Sequence, residues 1–516
     1  MNATLRSALF ALLPELVLLL TALFVLLSDS ARIPGRRQPK GAPLWVALTG
    51  LLIAAAHTAL SIAAPAWEGS VSFAGLELNP VSQLFKAMII GSCAVACLLA
   101  RTSREIDDRD KAELLGLLVV SALAHCLIVS ASNLIVLFAC LEMAWLGTYV
   151  LASFKREEPR SSEAGMKLYV YGALSSLLFA GGALVAYGVA GSFDIAAIRA
   201  PLAALGSAHD AASIGCLLLI FALFFSTVAA RLALFPFHFA AVDGGEGAPI
   251  PVAAFQSAAS LLAAVALAAR VFLDLFSVRS AAGWSALEGV PWPYVLALFA
   301  AASMTLGNLA AISQNSLKRM LAYAALSQAG FLLIGLSVAD GLGVASMIFS
   351  LFTYTVMILG AFFTIQCISG FYSGSQTSDD LSVLDGLAWR EPFAAVALSC
   401  FLLGLIGVPP LSGFLGRFYL LNAALQGGHL WVAAIFVLNW VIGSAYMLRL
   451  VARFFKDEVA HRVDAGTKDV MFTRFEKAVL VFLMIPTIGL GIFSDPFMRY
   501  LSKSLSQSFE LLTRSL

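Results

Sequence analysis

Long apolar runs alternate with short polar stretches along almost the whole chain. A largely apolar run of about 20 residues has the length of a membrane-spanning helix. Read this way, the chain has about 14 spans. They fall at 8–28, 43–63, 80–100, 111–128, 130–153, 164–190, 211–240, 250–275, 294–312, 319–337, 342–369, 392–422, 427–453 and 474–494. The first run continues as a full-length helix, unlike a cleavable signal segment. The pattern predicts an all-α, polytopic membrane protein.

Two spans are interrupted. In the seventh, Arg231 is followed by Pro236, Phe237 and His238, the polar stretch Asp243-Gly244-Gly245-Glu246-Gly247, and then Pro249 and Pro251. The twelfth carries Gly407-Val408-Pro409-Pro410-Leu411-Ser412-Gly413-Phe414 and then Arg417. Proline removes a backbone donor and breaks a helix. A broken helix at membrane depth persists only where it is buried in protein or lines a wet cavity. A cation near the middle of a span costs about 2.5–3.5 kcal/mol on insertion scales. Both segments therefore read as parts of an ion path. The competing reading is a kinked helix whose arginine snorkels to the interface.

The two breaks lie five spans apart, an odd number. Such halves are inverted relative to each other, as in inverted-repeat transporters with their site at the breaks. The expected organisation is 1–110 as three N-terminal helices, 111–275 as a first five-helix repeat, 294–456 as a second, and 457–516 as a final helix and tail.

Charge sets the orientation. With the N-terminus outside, the inside loops hold Arg32, Arg36, Arg37 and Lys40; Arg101, Arg104, Arg109 and Lys111; Lys155, Arg156, Arg160 and Lys167; Lys318 and Arg319; Arg390; and seven more from Arg449 to Lys477. That is most of the 32 basic residues. The positive-inside rule then puts both termini on the outer side.

Composition narrows the function. The 516 residues are 60% hydrophobic and 12% charged, with a formal net charge of +1. No nucleic-acid footprint is implied. The seven cysteines (93, 97, 126, 140, 216, 367 and 400) all sit in apolar runs. Cys93 and Cys97 share a helix face, but without a histidine or carboxylate at ligand spacing they read as core. There is no cysteine framework for an iron–sulfur cluster and no phosphate-binding glycine motif. Redox or ATP chemistry is expected on other chains.

Candidate chemistry rests on few residues. Glu142 is isolated in ASNLIVLFACLEMAWLGTYVLASF, and a carboxylate that deep marks function by default. Arg231 and Arg417 are cations that do not deprotonate. His238, beside the first break, can titrate near neutral pH, while His125 reads more as core. Lys318 and Arg319 open the tenth span, as proton-path residues or as a simple anchor. Glu15 reads as bonding a helix terminus, and Lys86 as snorkelling outward.

The stretches PFHFAAVDGGEGAPIPVAAF, SSEAGMKLYVYGALSSLLFAGGALVAYG, GNLAAISQNSLKRMLAYAALSQAGFLLIGL and GVPPLSGFLGRFYL give the chain a resemblance that covers nearly its whole length. It resembles the subunit N family of bacterial NADH–quinone oxidoreductase, respiratory complex I. More loosely it is similar to Mrp-type cation/proton antiporter and membrane hydrogenase subunits. The resemblance implies a proton-translocating channel of two inverted five-helix bundles. It implies other membrane-arm subunits, the lipid bilayer and protons as partners, and a bacterial plasma membrane location. NADH, flavin, iron–sulfur clusters and quinone would sit on partner subunits, with no cofactor on this chain.

The family pattern has a glutamate in span five, which matches Glu142. Its lysine of span seven is Arg231 here, that of span eight falls at Leu261, and that of span twelve is Arg417. A usual histidine in span ten aligns with Gln328. These departures leave the path to Glu142, Arg231, His238, Lys318 and Arg417, with Ser226, Thr227, Gln256, Ser257 and Gln328 as polar company. Two alternatives follow: an Mrp-type or hydrogenase-associated antiporter subunit, and a membrane-arm subunit that has lost pumping.

Overall fold

The computed structural model describes residues 10, 12–30, 41–63, 71–280, 283–371, 380–456 and 472–513. Arg32, Arg36, Arg37, Lys40, Arg462 and Lys468, which the orientation argument uses, lie outside these residues. The described residues form a helical membrane bundle with two small β-hairpins, Val71–Phe73 with Leu76–Leu78 and Ser277–Ser280 with Gly283–Ala286.

Among the described residues, twelve helices are long and apolar enough to cross a membrane. The first expected span, α1 (Leu13–Ser30), and the twelfth, α14 (Pro392–Ile406), are shorter. The twelfth is cut at Gly407, so a count of fourteen remains an expectation. Large apolar side chains such as Leu52, Leu177, Phe482 and Ile485 are well exposed, as a lipid-facing surface requires.

The helices follow in order: α2 (Ala42–Ala63), α3 (Pro80–Thr102), α4 (Lys111–Ser130), α5 (Leu134–Ala152), α6 (Pro159–Ala190), α7 (Ile195–Ser207), α8 (Ala211–Arg231), α9 (Phe239–Gly247), α10 (Ile250–Leu275), α11 (Trp292–Ile312), α12 (Leu317–Ser337) and α13 (Gly341–Phe371). After α14 come α15 (Ser412–Gln426), α16 (Leu430–Arg453), α17 (Arg474–Ile492) and α18 (Asp495–Thr513). The short helix α7 and the amphipathic α18 were not among the expected spans. α18 packs on α13 and α3.

Starts are set by local chemistry. Asn79 and Ser82 close a reciprocal capping box at α3, and Thr473 and Glu476 do so at α17. Both interruptions end in the same way. At the first, the Leu234 amide reaches back to the Ala229 carbonyl, with Ala233 in the left-handed region at φ 53°. At the second, the Val408 amide reaches back to Leu403, with Gly407 left-handed at φ 84°. This reach across a left-handed residue is the usual C-terminal stop of a helix. Phe235–Pro236 and Pro409–Pro410 are cis. Close packing completes the second break: a Cβ on Gly413 would sit 1.9 Å from the Gly404 carbonyl oxygen.

Two expectations about the N-terminal helices are overturned. Lys86 does not snorkel outward, and Glu15 does not cap a helix end. Lys86 is fully buried and its Nζ meets Glu15 Oε1 at 2.5 Å. Charge attraction inside the protein outweighs snorkelling, because a carboxylate of α1 lies within ion-pair distance in the interior.

Candidate functional site

The first break places Arg231 at the end of α8, against α5. Its guanidinium donates to the Leu141 carbonyl at 2.5 Å and lies 4.1 Å over the Trp145 ring. Leu141 and Trp145 are one helical turn apart, so one face of α5 presents both an acceptor and a π-surface. The buried Arg231 Nε has no hydrogen-bond partner.

Glu142 follows Leu141 on α5. It is half-buried, and its buried Oε1 has no hydrogen-bond partner. Arg231 and Glu142 do not form an ion pair: the arginine directs its guanidinium to a carbonyl and an aromatic face. The two side chains remain close enough to feel each other's charge.

Beside Arg231 lies a cavity of about 140 Å³. Its polar wall comprises His125, Thr148, Gln256, Ser257 and Ser260, and Leu261 lines it too. A π-helical turn over Gln256–Ser260 turns three of these side chains to the cavity. Such turns recur at functional sites. Gln256 donates to the Thr148 carbonyl at 3.1 Å. His125, expected as core, is buried with Nδ1 2.6 Å from the Ser121 carbonyl, and it also forms cavity wall. Leu261 sets an apolar group where the resemblance expects a lysine.

The second break repeats the first. Arg417, on α15, donates to the Leu405 carbonyl at 2.7 Å and lies 4.5 Å over the Phe331 ring and 5.8 Å from that of Trp440. Leu405 is in the last turn of α14, whose end carbonyls lack helical donors. A cation there also suits the negative end of the helix dipole. Gln328 bonds Ser350 at 3.4 Å, and a small cavity at Arg417 is lined by Asn308, Gln328, Tyr354 and Tyr446.

The remaining predicted residues lie between the two breaks. His238 is buried at the start of α9, its ring 4.1 Å from Phe239 and outside the Arg231 cavity lining. Lys318 is buried, not an exposed anchor, and donates to the Ala248 carbonyl at 3.4 Å. Next to it a chain of ion pairs ties α6, α9 and α12 together. Lys167 meets Asp243 at 2.6 Å, and Arg319 meets Asp243 at 3.4 Å and Glu246 at 2.7 Å. Of the polar company, Thr227 bonds the Ser175 carbonyl and Ser226 bonds within its own helix.

The structure thus joins Arg231 to the helix of Glu142, and Lys318 to the loop after α9. It leaves Arg417 in a separate site. Trp145, Thr148 and Ser260 were missed from sequence, as was the buried bond between Asn308 and Asn439. Trp145, three residues after Glu142, was the one visible signal. Among the described residues, no three His, Cys, Asp or Glu side chains are grouped to hold a metal ion.

The family model described as NADH:quinone oxidoreductase/Mrp antiporter, TM, matches residues 131–443, which include both breaks and Glu142. NADH-quinone oxidoreductase subunit N 2 of Chloroherpeton thalassium is 32% identical over 498 residues, covering 95% of this chain and 93% of that one. A chain of respiratory complex I from Thermus thermophilus, solved with bound aureothin, superimposes with a TM-score of 0.73 at 24% identity. It covers 95% of this chain and 99% of its own. A chain of the Mrp complex from a Dietzia species gives a TM-score of 0.76 at 18% identity over 97% of each chain. At those identities the two structures speak for the fold alone. The chain belongs to the NADH:quinone oxidoreductase/Mrp antiporter family of transmembrane proteins.

Proposed function

We propose that this chain is an antiporter-like membrane-arm subunit of a proton-translocating NADH–quinone oxidoreductase. It couples quinone reduction in other subunits to proton movement across a bacterial inner membrane, with both termini on the outer side. NADH, flavin, iron–sulfur clusters and quinone are held by partner subunits. Residues 111–275 and 294–456 form the two inverted halves, flanked by 1–110 and 457–516. The full-length likeness to chains named subunit N supports this reading.

One observation carries it at the level of chemistry. A half-buried arginine at a helix break faces a polar-walled cavity and is fixed to the helix of an isolated carboxylate. In this reading Glu142 takes and releases the proton. Arg231 does not lose its own proton, so it sets the potential that Glu142 feels. Gln256, Ser257 and Ser260 give water in the cavity its partners. His238 and Lys318 connect this half to the next, where Arg417 is the counterpart of Arg231.

A second reading rests on Leu261 in the cavity wall. An apolar side chain there breaks a relay of titratable groups, which favours a membrane-arm subunit that spaces the arm without pumping. Affinity purification from native membranes tests the oxidoreductase assignment. Flavin and iron–sulfur proteins are expected to co-isolate. Co-isolation of membrane subunits alone would point to an Mrp-type antiporter.

A further inference from the structure

The three N-terminal helices hold a buried polar cluster that the proposed path does not use. Glu15 lies in the first turn of α1, His57 and Ser61 near the end of α2, and Gln83 and Lys86 near the start of α3. The Lys86–Glu15 pair, at 2.5 Å, has side-chain exposures of 0% and 6%. Both charges act on His57. Around the pair, both ring nitrogens of His57, both amide atoms of Gln83 and the Ser61 hydroxyl are buried without hydrogen-bond partners.

Stability does not explain this cluster. Taking two charges out of water costs several kcal/mol per ion, and well-packed apolar residues of similar size are often as stable. Unpaired buried polar atoms add a further cost, and each calls for an explanation. Ionisable side chains inside spans are rare and mark ion or proton pathways. The charge balance selects the ligand. The Lys86 ammonium repels a metal cation, whereas carboxylate, amine and imidazole all accept a proton.

We propose that Glu15, Lys86 and His57 form a further proton-binding site, separate from the two helix breaks. A proton can pass from Lys86 Nζ to Glu15 Oε1, leaving a neutral amine and a neutral acid. An arriving proton adds to the free amine or to a His57 ring nitrogen and gives the cluster one net positive charge. Its departure restores the starting state.

Neighbouring elements add one titratable group. The Cys126 thiol of α4 lies within reach of both charges. His125 of α4 is bonded to Ser121, and Arg270 and Asp274 of α10 are engaged with Glu77 and each other. Tyr354 of α13 lines the Arg417 cavity instead.

The test is pH-stepped infrared difference spectroscopy on the purified membrane assembly in lipid. The wild type should show a protonated-carboxyl band that is lost in Glu15→Gln and whose midpoint moves in Lys86→Met. If Glu15→Gln fails to fold, the double variant with Glu15→Gln and Lys86→Met removes both charges together and serves for the same band. Spectra identical to the wild type in every folded variant would overturn the proposal and make the pair a fixed bridge. The band reports protonation without pumping, so this result is independent of the role of Glu142.

Discussion

The Arg231 guanidinium lies 4.1 Å over the Trp145 ring while donating to the carbonyl of Leu141, one turn earlier on the same helix. A planar cation suits both at once, since its edge carries the donors and its face stacks. Arg417 uses the same two kinds of partner at the second break.

Arg231→Lys keeps the positive charge over Trp145 and supplies a group whose proton can leave. It is expected to assemble normally and to pump at least as many protons per electron as the wild type. Arg231→Met removes the charge. A hydrogen bond to a charged group contributes about 1.5–3 kcal/mol, so this variant should lose stability of that order. Its pumping per electron should fall as well. Thermal unfolding and pumping at matched quinone-reductase rate measure both. Equal behaviour of all three proteins would make Arg231 a bystander.

The spans, the two interruptions and the intramembrane arginines were legible in the sequence, because hydropathy, proline and a charge in an apolar run are local signals. The partners of those charges were not. Arg231 and Leu141 are 90 residues apart, and Asn308 and Asn439 are 131 apart. Glu15 and Lys86 each sit near a helix end, so each reads locally as an end group. Only the folded arrangement, in which α1 and α3 both pack on α2 and α4, makes them a pair. Leu261 and Gln328 were legible only as departures from a family pattern, whereas the cavity around Leu261 had to be seen.

Ala233 is left-handed at the stop of α8, at φ 53°. An alanine there is strained, so Ala233→Gly should raise stability by about 1 kcal/mol. Ala233→Val should lower it, because a branched side chain fits that region poorly. Thermal unfolding in detergent reads both. A lower melting temperature for Ala233→Gly would mean that the helix does not stop in this conformation.

Topology can be read at Arg156, whose side chain is 82% exposed in the loop before α6. Ser161 is unsuitable, being fully buried with its hydroxyl on the Ala152 carbonyl. Cys93, Cys97, Cys126, Cys140 and Cys367 are buried, which limits background labelling. Arg156→Cys should react with an impermeant maleimide in inside-out vesicles and stay unlabelled in intact cells. Labelling in intact cells would reverse the orientation.

Glu142 is the one group in the first half that the proposed mechanism asks to take and release a proton. The decisive measurement is the number of protons pumped per electron by the reconstituted assembly, in wild type and Glu142→Gln, at matched quinone-reductase rates. The expected result is an assembled variant that still reduces quinone but pumps fewer protons per electron. An unchanged ratio would contradict it and leave Glu142 a structural residue.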